Sequence, residues 1–245
     1  MVTVDSLSPE VRRLYPWAGA YLELASGHRL HYLDEGTGEP IVMVHGNPTW
    51  SFYYRNLIRD LSSNYRCIAV DHMGCGLSDK PQDYPYTLEQ HVDNLSTLID
   101  ALDLDKITLV VHDWGGPIGF GAAQRHADKI RRIVILNTGV FEGPVPLSIR
   151  MCRWPLLGAA MVRGLNGFVR VGLLRATAEP SSMKGAVGEG YLAPYNTWKN
   201  RVAHLQFIKD IPIEKSHPTR EFFLGIDTNL KVFADCPVLL IWGEQ

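Results

Sequence analysis

Three short stretches hold residues that could do chemistry together: HGNPTW at 45–50, DHMGCGLSD at 71–79 and HDWGGP at 112–117. The last has the layout of a nucleophile elbow: an apolar run, a tight turn through small residues, then a helical pattern. The usual form is G-x-S-x-G with serine at the apex. Here Val111-His112-Asp113-Trp114-Gly115 puts Asp113 there. A carboxylate attacks carbon without prior deprotonation and forms an ester, splitting one hard displacement into two steps. A base is needed later, to activate the water that hydrolyses the ester. The competing reading, an aspartate that merely caps the next helix, accounts less well for a following Trp-Gly-Gly.

HGNPTW ends an earlier apolar run, the place from which a second oxyanion-hole N–H is usually supplied. The backbone N–H groups of Asn47 and Trp114 could then meet at one oxygen and stabilise charge as it develops. The Asn47 amide and the Trp114 indole N–H are further donors, suited to holding a departing anion. GCGLSD lacks the third glycine of a dinucleotide fingerprint and no matching helix start follows, so it reads as a structural loop.

These loops need elements that end where they begin. AYLELASG and HRLHYLDEG predict a hairpin turning at Ser26-Gly27, and PIVMVHG, YRCIAVD and KITLVVH read as buried strands. TWSFYYRNLIRDLSSN, TLEQHVDNLSTLIDALDLD and PIGFGAAQRHADKI have helical spacing; in the second, Thr87 is an N-cap and Gln90 is placed for a capping box. Strands alternating with helices predict an α/β fold, a mostly parallel sheet covered on both faces, with ligands at the carboxyl ends of its strands. Residues 141–214 contain no convincing strand and are rich in prolines and aromatics. They read as a helical insertion between a first core part, 1–140, and a second, 215–245, where CPVLLIWGEQ resumes the sheet.

Bulk composition narrows the function classes. The net charge is −2, with 46% hydrophobic and 20% charged residues and no basic run, which disfavours a nucleic-acid partner. Four scattered cysteines form no CxxC pair, so the expectation is reduced thiols, no metal cluster and a cytoplasmic location. The stretch MVTVDSLSPEVRRLYPW lacks a basic start followed by an apolar run, so a secretory signal is not expected, and no uncharged span of membrane length occurs in the sequence.

At the three loops the sequence resembles the α/β-hydrolase superfamily and, within it, the haloalkane dehalogenases. HGNPTWSFYYRNLI, VDHMGCGLSDKP, VHDWGGPIGF and YLAPYNTWKNRVAHLQFIKDIPI carry the resemblance, which extends over essentially the whole chain. It implies that Asp113 displaces halide from carbon, that Asn47 and Trp114 hold the halide, and that 141–214 is a helical cap over a substrate tunnel. Trp154, Phe168, Trp198 and Phe207 are the aromatic candidates for the tunnel wall. TWSFYYRNL and KNRVAHLQFIKDIPI look most like the subfamily that also contains β-lactone decarboxylases of bacterial long-chain olefin synthesis. The resemblance thus implies hydrolytic dehalogenation first, decarboxylation of a β-lactone by the same aspartate as the alternative, and a binding protein on a hydrolase scaffold as the third reading. It implies a small apolar substrate and water, with no cofactor and no metal, and leaves room for a homo-oligomer or a complex with a pathway enzyme.

The family also needs a histidine base and a carboxylate that orients it. His45 precedes the oxyanion loop, His72 sits in the structural loop, and strand alternation turns His112 away from the apex; none is placed as the base. After RRIVIL the residue matching one family position for the acid is Asn137, which cannot serve. Both partners are therefore expected beyond Gln245, in a longer protein of which this chain would be a C-terminally truncated form, without its last strand and helix.

Overall fold

The computed structural model describes residues 2–140, 143 and 145–243. Its seven strands are β1 (Ala20–Glu23), β2 (Arg29–Glu35), β3 (Pro40–Val44), β4 (Arg66–Val70), β5 (Ile107–His112), β6 (Ile130–Leu136) and β7 (Val238–Ile241). They form one sheet in the order β1-β2-β4-β3-β5-β6-β7. β1 and β2 are an antiparallel hairpin, β2 pairs antiparallel with β4, and the pairs from β4 through to β7 are parallel. Gly27 supplies the left-handed φ of +75° that the hairpin turn needs. β3 is buried along its whole length, as a strand covered on both faces must be. β7 lies at the sheet edge with its apolar side chains exposed. The last two residues of the expected final strand, and the expected boundary at 141, lie outside the described residues.

The helices among the described residues are α1 (Pro9–Leu14), α2 (Arg55–Leu61), α3 (Leu88–Ala101), α4 (Gly115–Arg125), α5 (Leu147–Met151), α6 (Gly167–Arg175), α7 (Ala186–Leu192), α8 (Val202–Lys209) and α9 (Arg220–Asn229). α3 buries Leu88, His91, Val92, Leu95, Leu98 and Ile99, the three-and-four spacing of one helical face. Thr87 caps it by accepting from the Gln90 N–H at 3.2 Å. The expected reciprocal bond is not made: the Gln90 side chain donates to Asn94 Oδ1 instead. The Leu88 N–H is taken by the Asp210 carboxylate at 2.7 Å, so a residue between α8 and α9 completes the cap of a core helix.

Between β6 and α9 the described residues hold helices, turns and irregular backbone but no strand. No described helix is long and apolar enough to cross a membrane. The four cysteines are free.

Close packing of α4 on β3 depends on a missing side chain. A Cβ at Gly115 would lie on the backbone carbonyl of Val44, and backbone in a central strand cannot withdraw. Gly115→Ala should therefore cost about 1–3 kcal/mol in denaturant unfolding. Gly172→Ala, in open space on α6, should be neutral or gain up to about 1 kcal/mol from helix propensity. Equal stability of the two variants would contradict this packing argument.

Candidate active site

The loops after β3, β4 and β5 meet at the carboxyl end of the parallel strands. Asp113 follows β5 directly with φ +52°, a left-handed conformation that costs a non-glycine residue on the order of 1 kcal/mol and is kept where the surroundings hold it. The surroundings here are specific. The Asp113 carbonyl accepts from the Gly116 N–H at 2.9 Å and from the Thr138 hydroxyl. A Cβ at Gly46 would overlap the Asp113 side chain, so the glycine is what lets the carboxylate lie against the first loop.

The Asn47 backbone N–H donates to Asp113 Oδ1 at 2.7 Å. Burial pushes the Asp113 carboxyl above its ordinary range; neighbouring His112 and the backbone amides of Trp114 and Asn47 offset this only in part. The site therefore combines a desolvated carboxylate with the Asn47 N–H on its Oδ1 and the Trp114 backbone amide beside it, donors that partly offset the cost of burying the charge.

Asn47 is held by one residue of the helical segment. Its Oδ1 accepts from His204 Nδ1 at 2.8 Å and its Nδ2 donates to the His204 carbonyl at 3.3 Å. An amide nitrogen has two hydrogens, so one N–H remains for the cavity that Asn47 lines. His204 is fully buried and neutral, its pKa pushed down to about 3 by burial first and by Lys80, His45 and Arg201 next. Tyr195 adds a second clamp, donating from its hydroxyl to the Thr49 carbonyl at 3.0 Å while accepting from the Gly76 N–H. Trp50 adds a third, donating to the Gly190 carbonyl.

The remaining histidines sort by their hydrogen bonds. His45 Nδ1 bonds the Gly46 carbonyl while its Nε2 accepts from the His72 N–H; His72 Nε2 in turn donates to the His45 carbonyl. Both are buried neutral rings that tie the first two loops together, and burial takes His45 down to about 4. The loop at 71–79 is organised by Asp71, whose carboxylate takes the N–H groups of Ser51 and Leu77 and pairs with His31 Nδ1 at 2.8 Å.

His112 departs from expectation. It stacks on Tyr53 at 4.4 Å and lines the same cavity as Asp113. The left-handed turn at Asp113 breaks the two-residue alternation of the strand, so neighbouring side chains flank one space. The cavity has a volume of about 630 Å³, and its wall includes Tyr53, Val169, Leu173, Met183 and Tyr191. Asn137, at the end of β6 with φ +35°, reaches this cavity and two neighbouring ones.

The four aromatic candidates for the tunnel wall do not line these cavities. Trp154 is 58% exposed at a turn, and Trp198 is exposed beneath the Arg163 guanidinium. Phe168 packs on a small cluster with Val162, Leu205 and Ile208. Phe207 is buried between His91 and Trp114, so it backs the indole without reaching the cavity. Tyr53 and Tyr191 are the aromatic residues that sequence inspection missed. Tyr53 had a signal, six residues past Asn47 on the turn leading into α2; Tyr191 had none beyond its place in an aromatic-rich segment.

Comparison with known proteins agrees with this fold. The family model described as alpha/beta hydrolase fold matches residues 39–245. A cis-3-alkyl-4-alkyloxetan-2-one decarboxylase of Shewanella oneidensis is 47% identical over 90% of this chain and 71% of its own length. A haloalkane dehalogenase of Mycolicibacterium paratuberculosis is 41% identical over 94% of this chain and 77% of its own. Among solved structures, the haloalkane dehalogenase DatA of Agrobacterium tumefaciens superposes with a TM-score of 0.76 at 29% identity, covering 91% of this chain and 78% of that one.

Proposed function

We propose, from the premise that this chain belongs to the α/β-hydrolase fold family, that Asp113 is a nucleophile toward carbon and that the enzyme removes carbon dioxide from a β-lactone bearing alkyl groups. The observation that carries this reading is a carboxylate at a left-handed elbow, its Oδ1 on the Asn47 amide, beside a cavity walled on one side by Val169, Leu173, Met183 and Tyr191. The order of the two expectations from sequence is reversed here, with decarboxylation first, in line with the 47% identity to the Shewanella decarboxylase.

The steps balance without an added base. Asp113 attacks the alkyl-bearing ring carbon that is bonded to the ring oxygen, not the carbonyl carbon; its C–O bond to the ring oxygen breaks and leaves a carboxylate on the neighbouring carbon. The Asn47 amide and the Trp114 indole N–H hold the new anion. The bond to this carboxylate then breaks to release carbon dioxide, and its electron pair forms the alkene as the ester C–O bond breaks. Asp113 returns to the backbone amides of Asn47 and Trp114. Residues 141–214 act as the cap between core parts 1–140 and 215–245, and the enzyme works in the cytoplasm without cofactor or metal.

Hydrolytic dehalogenation is the second reading, favoured by the Asn47 N–H left free for a halide and by the likeness to dehalogenases. It uses the same attack but ends in ester hydrolysis, which needs an activated water. The two part cleanly when the protein is offered a long-chain β-lactone and a bromoalkane. Carbon dioxide and alkene with negligible bromide are expected; bromide release without carbon dioxide would move the assignment to dehalogenation, and neither product from folded protein would favour a binding role.

A further inference from the structure

We propose that the outer side of the helical segment, centred on α6, docks on an anionic lipid surface. Between residues 145 and 178 stand Arg150, Arg153, Arg163, Arg170 and Arg175 and no acidic residue, in a chain whose net charge is −2. Arg153 is committed to Glu214, and Arg163 to Gln82. Arg170 and Arg175 form no ion pair among the described residues.

The apolar residues beside them are displayed to solvent. On α6, Val169 and Leu173 are four apart and line the cavity at Asp113, with Arg175 exposed at its rim, whereas Val171 and Leu174 turn outward at 52% and 64% exposure. The preceding turns add Trp154, Leu165 and, at 87% exposure, Leu156. Leu156 has φ +60°, a conformation that costs a branched residue on the order of 1 kcal/mol and here serves no contact within the core. Exposed tryptophan and leucine interleaved with arginine is the composition of a surface lying in a lipid headgroup region.

Charge complementarity decides the occupant. A two-fold contact with a second copy would set this cationic stretch against itself, whereas an anionic bilayer pairs with it. α6 would then stand between the bilayer and the cavity, giving an apolar substrate a short path from one to the other. Only this delivery role rests on the decarboxylase reading; the docking does not.

The test is flotation of the full-length protein with vesicles of phosphatidylethanolamine and phosphatidylglycerol, and with vesicles of phosphatidylcholine alone. Binding to the anionic vesicles is expected, weakening in high salt, with little binding to phosphatidylcholine. R170S should weaken partition about fivefold, and V171S/L174S should weaken it at least as much, both with unchanged thermal melts because the sites are exposed. Absence of wild-type binding to anionic vesicles, or binding by both variants as tight as that of the wild type, would overturn the proposal. So would a concentration-dependent dimer abolished by V171S/L174S, which would assign the face to a second copy. Vesicle binding is read without turnover, so its failure is distinct from failure of the proposed reaction.

Discussion

Asp113→Asn is expected to abolish turnover and, at neutral pH, to raise the melting temperature. Asparagine keeps the shape of the side chain and tolerates the left-handed backbone at this position better than other residues. It lacks the anionic oxygen that attacks carbon, so the loss should reach at least about 10⁴-fold in kcat. The stability gain follows from the raised pKa of the carboxyl, whose first cause is burial. The folded-state pKa lies above the unfolded value, so as pH rises past about 4 the unfolded chain ionises first. The wild type loses stability from there until its own pKa is passed, and the loss persists at neutral pH. Asparagine escapes it, so the two melts should converge as pH falls to about 4 and separate above. Wild-type turnover should also fall as pH drops through the raised pKa, because the protonated carboxyl is no nucleophile. A variant that melts lower than the wild type at pH 7, or that retains a tenth of the activity, would refute this account of Asp113.

That trade between stability and reactivity explains which parts of the molecule the sequence could announce. The placement of the three loops rests on local signals: apolar runs for β3, β4 and β5, and glycines at the turns that follow. Each signal is readable because the residues that cause the feature are adjacent in the chain. The side chains facing Asp113 are different. Tyr191 and Met183 reach the cavity through the packing of α6 and α7 over the core, while Trp154, in the same aromatic-rich segment, ends in solvent. α6 is nine residues long and mixes glycine, arginine and aliphatics, so its sequence alone carries little information about which face turns inward. His112 failed for another reason: strand alternation stops at the residue where the backbone turns left-handed, and the sequence marks that residue only by its chemistry. The half-made cap at Thr87 is a third kind of miss, since Asn94, four residues on, competes for the Gln90 amide.

The second large effect should come from Asn47, through its side chain and not its backbone. Asn47→Ala keeps the N–H that donates to Asp113 but removes the amide that holds the developing anion, and the loss of one such donor costs about 10²–10³ in kcat. It also strands the buried His204 Nδ1, costing roughly 1–3 kcal/mol of stability, so activity must be read on folded protein. His204→Phe leaves Asn47 in place but frees its oxygen to rotate, and a misplaced donor should cost about 10- to 100-fold. If His204 acts only by orienting Asn47, the double variant should be no slower than Asn47→Ala alone. The His204→Phe defect should also be constant from pH 5 to pH 8, because a ring with a pKa near 3 is neutral throughout that range. Additive losses, or a defect that changes through pH 6–7, would mean that His204 contributes something besides orientation. Either result measures how far the helical segment, and not the sheet alone, builds the anion site.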